Sequence, residues 1–271
     1  MFKQKKVKGV QSIMGKVFIV GAGPGDIDLI TVKGLNCIKT ADVILYDRLI
    51  NKELLLHAKK GAELIFVGKI PGFHQNKQEI INQQLVEFAK RGKMVTRLKG
   101  GDPFIFGRGA EEAQTLAKHK IPFEIVPGIT SGIAAPAYAG IPVTHRDFSS
   151  SFAIITGHTR PGNDDTIQWK YLALGVDTLV IYMGVGQLAN ICHQLIGAGR
   201  SPHTPVAMIY WGTTNIQKTI TGTLATINEI AIDEKMKNPS MIIIGEVVRL
   251  RDNIQWFEQT LQSYDQLPVI G

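Results

Sequence analysis

The stretch that decides the fold is Val17-Phe-Ile-Val-Gly-Ala-Gly-Pro-Gly-Asp26, an apolar run that passes directly into a glycine-rich loop. Apolar and β-branched residues followed by glycines predict a buried strand that turns sharply toward a helix. This start is typical of α/β domains, in which ligands bind where the strands end. The first question is therefore which ligand such a loop suits.

The loop departs from the dinucleotide-binding fingerprint in its charge. That fingerprint has glycines at its first, third and sixth positions. Gly21 and Gly23 fit, but Asp26 takes the sixth position. A carboxylate there opposes a pyrophosphate at a helix N-terminus, and Pro24 removes one backbone donor. We expect a less anionic ligand; the structural alternative is a tight turn in which Asp26 or Asp28 caps the helix.

Working outward, the first half of the chain alternates short apolar runs with amphipathic stretches. The pattern predicts strands at 16–20, 42–46, 63–67, 93–98 and 123–126 and helices at 29–39, 77–91 and 111–119. Such alternation predicts a mostly parallel sheet. Polar or glycine-rich sequences follow four of these strands, and we expect them at one edge of the sheet: 21–26, 47–48, 68–69 and 100–108.

The second half predicts a mixed sheet, because threonines and shorter connections recur. Strands are expected at 152–156, 178–182, 206–210, 218–222 and 241–245, and helices at 187–196 and 224–235. The predicted fold is two α/β domains, with a mostly parallel N-terminal sheet, a mixed C-terminal sheet and an active-site cleft between them. The expected order is a disordered basic extension, an N-terminal domain, a linker, a C-terminal domain and a tail: 1–13, 14–128, 129–146, 147–257 and 258–271.

Composition narrows the partners. The 271 residues carry a net charge of +7, and the first 13 hold four lysines and no acid, so the remainder carries +3. That mildly basic body suits a small polyanionic substrate. A nucleic-acid-binding arm is the alternative for the extension, but no short stretch interleaves basic and aromatic residues, so we expect no nucleic-acid partner. No apolar run approaches ~18 residues, and Cys37 and Cys192 match no metal spacing. We expect a cytoplasmic protein without a metal or a membrane partner.

The second glycine loop, Leu98-Lys-Gly-Gly-Asp-Pro-Phe-Ile-Phe-Gly-Arg-Gly109, is the more specific one. Paired glycines let a ligand approach the backbone closely. Asp102 and Arg108 flank an apolar run, as polar groups flank the apolar wall of a small-molecule site. We interpret Arg108 as a functional residue and Phe104 and Phe106 as core residues.

Two further residues are candidates for acid–base chemistry. Asp47 and Lys69 follow predicted apolar strands and are expected at the edge of the sheet. A partly buried carboxylate can act as a base, and a lysine can act as an acid. A surface ion pair is the alternative interpretation of both.

Five stretches together resemble the uroporphyrinogen-III C-methyltransferases of the tetrapyrrole methylase family. They are Val-Gly-Ala-Gly-Pro-Gly-Asp-Ile-Asp-Leu-Ile-Thr (20–31), Ala-Asp-Val-Ile-Leu-Tyr-Asp-Arg-Leu (41–49), Leu-Lys-Gly-Gly-Asp-Pro-Phe-Ile-Phe-Gly-Arg-Gly (98–109), Pro-Gly-Ile-Thr-Ser-Gly (127–132) and Ala-Tyr-Ala-Gly-Ile-Pro-Val-Thr-His-Arg (137–146). The resemblance implies a homodimer that methylates uroporphyrinogen III at C2 and C7, giving precorrin-2 via precorrin-1 for siroheme and cobalamin biosynthesis. It implies S-adenosylmethionine as the methyl donor and S-adenosylhomocysteine as its product.

The resemblance also assigns roles to residues. Asp47 matches the family's proton acceptor, Lys69 its proton donor and Arg108 an arginine implicated in catalysis. The implied cofactor contacts are Pro24, Gly100, Gly101, Asp102, Ile105, Thr130, Ser131, Met183 and Gly212. Two alternatives remain open here: a methyltransferase of the same superfamily acting on a later precorrin, or on a protein or RNA side chain, and a nicotinamide-dependent oxidoreductase.

Overall fold

The structure is a computed structural model that describes residues 14–68, 77–157 and 167–265. Lys69 and the 1–13 extension lie outside these residues, as does the end of the predicted tail. The chain divides into two units with one sheet each. One unit comprises the residues up to 22 together with 30–128, and the other comprises 23–29 together with the residues from 129 onward.

The first unit contains a wholly parallel five-stranded sheet in the order β3-β2-β4-β1-β5. Its strands are β1 Lys16–Gly21, β2 Val43–Tyr46, β3 Glu63–Phe66, β4 Met94–Lys99 and β5 Phe123–Val126. Its α-helices are α1 Val32–Thr40, α2 Lys77–Lys90 and α3 Gly109–Lys118, with a 3₁₀ helix at Lys52–His57. Because β2, β4 and β1 are neighbours and all parallel, the sequences that follow them emerge at one edge.

Apolar burial holds this sheet together. Val17 and Ile19 of β1 are fully buried, in one cluster with Leu85 of α2 and Leu116 of α3. Strands covered on both faces read as continuous apolar runs, which is why the opening stretch predicted this strand well. Each fully buried side chain of this size contributes roughly 1.5–3 kcal/mol.

The second unit contains a mixed sheet in the order β6-β7-β10-β8-β9. Its strands are β6 Phe152–Thr156, β7 Thr178–Tyr182, β8 Pro205–Tyr210, β9 Lys218–Thr223 and β10 Ser240–Ile244. Its helices are α4 Ser131–Tyr138, α5 Trp169–Gly175, α6 Leu188–Gly197, α7 Ile227–Asp233, α8 Arg251–Ile254 and α9 Phe257–Asp265, with 3₁₀ helices at Ile27–Leu29, Val185–Gln187 and Glu246–Leu250. Strands β6 and β7 are parallel, and β10 is antiparallel to both neighbours. The predicted pair of α/β sheets, one parallel and one mixed, is confirmed.

Four local features differ from the sequence-based expectations. The segment treated as a linker contains α4, and the segment treated as a tail contains most of α9. Residues 23–29 group with the second unit, although they follow β1 of the first. Thr31 caps α1 by accepting a hydrogen bond from the Gly34 amide at 3.0 Å, whereas Asp26 accepts one from the Asp28 amide at the 3₁₀ turn.

A buried charge cluster lies beneath the edge of the first sheet. Glu112 of α3 is fully buried, and its Oε1 accepts hydrogen bonds from Arg97 Nε at 3.1 Å and Lys99 Nζ at 3.0 Å. Burial lowers the pKa of Lys99. Gln78 of α2 donates to the same oxygen at 3.1 Å. The cluster therefore ties α2 and α3 to β4 through one carboxylate.

No helix within the described residues is long and apolar enough to cross a membrane. Within 14–68, 77–157 and 167–265, no three His, Cys, Asp or Glu side chains lie close enough together to hold a metal ion.

Cys37 and Cys192 are both buried, and burial raises the pKa of the Cys192 thiol to about 11. A proton therefore stays on that thiol at neutral pH.

Removing the buried carboxylate should destabilise the first unit strongly. We expect Glu112→Ala to lower its free energy of unfolding by about 3–5 kcal/mol, because Lys99 loses its buried partner and Arg97 keeps only the more distant Asp47. Hydrogen exchange at the β4 amides reports on this unit alone. Glu87→Gln removes an exposed carboxylate that lies 4.0 Å from Arg91 and serves as the control. A loss below about 1 kcal/mol in Glu112→Ala, the range of exposed pairs, would contradict the prediction.

A second stability prediction concerns pH. Hydrogen bonds from Lys16 and Lys33 lower the pKa of Glu124 in β5 from 4.5 to about 2. Because the folded pKa is depressed, the stabilisation is complete above pH 4.5 and is lost as the pH falls toward 2. We expect Glu124→Gln to have a lower Tm than the wild-type protein at pH 7, with a smaller difference at pH 3. Thermal unfolding at both pH values measures this; Glu63→Gln, exposed on β3, should show no such pH-dependent gap.

Candidate active site

Asp47 lies directly after β2 at the carboxyl edge of the parallel sheet. Its Oδ1 accepts a hydrogen bond from the Leu49 amide at 3.0 Å, and its Oδ2 lies 3.7 Å from Arg97 Nη2. Its side chain is 27% exposed, whereas that of Arg97 is 4% exposed. The turn and the buried guanidinium thus fix the direction of a carboxylate that still reaches solvent.

Sequence reasoning missed the group behind Asp47. Arg97 bridges the Asp47 carboxylate and Glu112, and it also donates to the Leu98 carbonyl oxygen at 2.9 Å. The signal that could have found it is Met94-Val-Thr-Arg-Leu-Lys99, in which two cations interrupt an otherwise apolar strand. Buried charges are normally paired, so a carboxylate on a packed helix was to be expected.

The second glycine loop is built by close backbone approach beside Asp47. A Cβ on Gly100 would stand 2.9 Å from the Leu49 Cβ, and a Cβ on Gly21 would stand 2.6 Å from the Gly101 carbonyl oxygen. Any side chain at these two positions would push the loop away. The loop that follows β4 is therefore in direct contact with the end of β1 and with the loop that follows β2.

Asp102 builds this loop with both of its carboxylate oxygens. Oδ1 accepts from the Phe104 amide at 2.8 Å, and Oδ2 accepts from the Gly128 amide at 3.0 Å. Ile105 is partly buried in the same loop. The structure thus brings Gly100, Gly101, Asp102 and Ile105 together in the first unit, with Asp102 engaged by the protein's own backbone.

Arg108 lies at the far end of the loop, in the left-handed region with φ 60°. Its Nε and Nη2 donate to the two carboxylate oxygens of Glu111 at 2.8 and 2.7 Å. This pairing raises the pKa of Arg108, and the guanidinium side chain is 56% exposed. Arg108 is thus a permanently charged group that Glu111 holds at the surface.

The interpretation of Phe104 and Phe106 as core residues is wrong. They are 54% and 44% exposed. The run between Asp102 and Arg108 forms turns rather than a strand, because the Asp102 carboxylate bonds the Phe104 amide and the Gly109 amide bonds the Pro103 carbonyl oxygen. The run places aromatic rings at the surface of the first unit.

In the second unit, the start of α4 gathers three of the predicted cofactor residues. The Tyr182 hydroxyl accepts from the Gly132 amide at 2.7 Å and from Ser131 Oγ at 3.2 Å, and it also contacts Thr130 Oγ1. Met183 follows Tyr182 at the end of β7, with φ 54°, and the residue is about half exposed. Tyr182, which sequence reasoning missed, therefore joins Thr130 and Ser131 to the Met183 turn.

The other two predicted residues of this unit are Gly212, which meets the same helix, and Pro24. Gly212 packs so closely on Ala135 of α4 that a side chain could not be accommodated. A Cβ on Gly25, the neighbour of Pro24, would stand 2.9 Å from Thr213 Oγ1 and 3.2 Å from the Gly212 carbonyl oxygen. Thr130, Ser131, Met183 and Gly212 are therefore brought together around α4, and the loop that contains Pro24 meets the Gly212 turn.

Comparison with known proteins gives the family of the chain. The sequence model of the family Tetrapyrrole (Corrin/Porphyrin) Methylases matches residues 16–228. A uroporphyrinogen-III C-methyltransferase from Priestia megaterium is 63% identical over 235 residues, 87% of this chain and 99% of that protein.

Solved structures give the same assignment. Uroporphyrin-III C-methyl transferase from Thermus thermophilus, complexed with S-adenyl homocysteine, is 36% identical with a TM-score of 0.74, over 87% of this chain and 94% of its own. A cobalamin biosynthetic enzyme, cobalt precorrin-4 methyltransferase, is 30% identical with a TM-score of 0.77, over 86% and 95%. Because the family model spans most of the sequence, the chain belongs to the tetrapyrrole methylase family.

Proposed function

We propose that this chain transfers methyl groups from S-adenosylmethionine to C2 and C7 of uroporphyrinogen III, giving precorrin-2 via precorrin-1 and two S-adenosylhomocysteine. The observation that carries the proposal is that this chain is 63% identical to a uroporphyrinogen-III C-methyltransferase over nearly the full length of that protein. A carboxylate fixed beside a glycine loop, at the edge of a parallel sheet, supports it.

The proposed cofactor residues fit a positively charged sulfonium that carries a flat adenine ring. None of the nine has a cationic side chain, and the one acid among them, Asp102, is engaged by backbone amides. Met183 and Ile105 supply apolar surface, and the glycines leave room for close approach. When bound, S-adenosylmethionine supplies an activated methyl group on a positively charged sulfur.

Asp47 is proposed to accept the proton that the substrate loses once a pyrrole carbon has been methylated. Arg97 at 3.7 Å and the Leu49 amide orient the carboxylate for this purpose. The protein's other task is alignment of the reacting carbon, methyl and sulfur, which can supply several kcal/mol, roughly 7–11 at best. Lys69, the proposed proton donor, lies outside the described residues and stays a prediction.

Arg108 is proposed to bind an acetate or propionate arm of the substrate. A guanidinium has five N–H donors in a planar fork, and Glu111 engages two of them. Charge-assisted pairs of this kind are stronger than neutral hydrogen bonds. The exposed position of Arg108 suits an arm that arrives from solvent.

Assembly and location complete the proposal. We propose that the active protein is a homodimer in the cytoplasm, acting in siroheme or cobalamin biosynthesis, as the family resemblance implies. A later precorrin is the second candidate substrate, because the structural match to cobalt precorrin-4 methyltransferase is as good as that to the Thermus thermophilus protein. The higher identity to uroporphyrinogen-III enzymes favours the first candidate.

The activity has a direct test. We expect that purified protein, incubated anaerobically with uroporphyrinogen III and methyl-labelled S-adenosylmethionine, places two labelled methyl groups on the tetrapyrrole. Mass spectrometry of the trapped product counts them. A product that carries no label would refute the proposed substrate, and labelling of a later precorrin alone would establish the second candidate.

Two variants test the assigned roles. We expect Asp47→Asn to lower kcat by roughly 10²–10⁴, the usual contribution of a positioned general base.

We expect Arg108→Ala to lower kcat/KM for the tetrapyrrole by about 10–100-fold, because a hydrogen-bonded charge is lost. Arg91→Ala, another exposed arginine beside a glutamate, is the control. Near-wild-type kinetics in either folded variant would refute the role of that residue.

A further inference from the structure

The C-terminal segment that contains α8 and α9 lies beyond residue 228, where the family model stops matching. Two separate chains of contacts run from this segment to the first glycine loop, and both end at Asp26. All the residues concerned belong to the second unit.

The first chain of contacts is polar and runs through side chains that are largely buried. Glu258 Oε1 accepts from Gln217 Nε2 at 3.1 Å, and Gln217 Oε1 accepts from the Thr213 amide at 2.7 Å. Thr213 Oγ1 in turn accepts from the Asp26 amide at 3.1 Å. Gln217 and Thr213 are both buried. The Glu258 carboxylate therefore reaches the loop backbone through two intermediaries.

Glu258 itself is firmly anchored. Arg251 contacts Glu258 Oε2 and donates to the Ala139 carbonyl oxygen at 2.5 Å, just after α4. Thr219 of β9 donates to Oε1 at 2.5 Å. Both carboxylate oxygens are thus occupied, and they connect α9 with α8 and β9.

The second chain of contacts is aromatic. The Tyr138 hydroxyl donates to Asp26 Oδ2 at 2.6 Å. The Tyr138 ring packs against Trp256 and Phe257, with ring centroids 5.0 and 4.8 Å away. Trp256 Nε1 donates to the Ala137 carbonyl oxygen at 3.0 Å. Burial raises the pKa of Tyr138, so its hydroxyl remains a donor to Asp26.

The turn at 211–213, which contains Thr213 of the first chain of contacts, has an unfavourable backbone conformation. Trp211 and Thr213 have φ 42° and 68°, in the left-handed region that non-glycine residues rarely adopt. Such conformations persist only where the surrounding structure holds them. Gly212, a proposed cofactor contact, lies between these two residues, so whatever holds the turn also holds Gly212.

We propose that Glu258 is a positioning residue for the cofactor site. Through Gln217 and Thr213 it holds the Gly212 turn and the backbone of the loop that contains Pro24, while Trp256 and Phe257 hold the Asp26 side chain through Tyr138. The inference rests on the proposed function, because Pro24 and Gly212 matter only if they contact S-adenosylmethionine.

The consequence concerns affinity rather than chemistry. A loop that is held in its binding conformation loses less conformational entropy when the cofactor binds. Loosening it should raise the Kd for the cofactor and the KM for S-adenosylmethionine. It should leave kcat at saturation nearly unchanged, because Asp47 belongs to the other unit.

The experiment is a calorimetric titration of the full chain with S-adenosylhomocysteine. We expect Glu258→Gln to raise the Kd about tenfold, since a hydrogen bond to a charged group is lost. The KM for S-adenosylmethionine should rise in parallel, with kcat changed less than threefold. Asp252→Asn, exposed on α8, is the matched control and should keep the wild-type Kd within twofold.

Tyr138→Phe interrupts the other chain of contacts and keeps the test decisive if Glu258→Gln does not fold. We expect a raised Kd here too, and a double variant whose effect differs from the sum of the two, because both act on Asp26. An unchanged Kd in either folded variant, or a lowered kcat at unchanged Kd, would overturn the inference. Failure of the wild-type chain to bind S-adenosylhomocysteine would instead overturn the proposed function.

Discussion

The first unit depends on one buried carboxylate. Glu112 pairs with Arg97 and Lys99, two cations that β4 carries into an apolar interior. Charges can stay in such a place only if they are paired and hydrogen-bonded. The pairing fixes α3 against β4, and it leaves the Arg97 Nη2 directed at Asp47. The direction of the proposed base is thus a consequence of how these buried charges are paired, and Arg97 and Glu112 lie well inside the fold.

In the second unit, Asp26 is held in place in a comparable way. Both of its carboxylate oxygens and its amide are engaged, by the Asp28 amide, the Tyr138 hydroxyl and Thr213 Oγ1. These contacts explain why residues 23–29 group with a unit that is remote in sequence. In each unit an aspartate that follows a strand, Asp102 or Asp26, accepts hydrogen bonds that fix its glycine loop. The glycines then allow the close approach that side chains would prevent.

Much of the fold was predictable because its strands are apolar and its longer helices amphipathic. Helix α4 was missed because Ser-Gly-Ile-Ala-Ala-Pro-Ala-Tyr has small residues and an internal proline instead of an apolar stripe. The residues of the candidate site were predicted from family motifs, whereas the residues that hold them in place were not. Asp26 and Thr213 are 187 residues apart, and no local pattern links them. The error at Phe104 and Phe106 arose because hydrophobicity alone does not say that a loop bends outward.

The contacts of the first glycine loop explain the role of Asp26. From the sequence, the charge of Asp26 is expected to disfavour a pyrophosphate, and the contacts add a second reason. A helix or 3₁₀ turn attracts an anion to its N-terminus, and here the Asp26 carboxylate already occupies the Asp28 amide of that turn. A phosphate would have to displace a side chain that Tyr138 also holds. The protein thus supplies its own anion at this turn, which supports the proposal that the cofactor beside the loop is not a diphosphate.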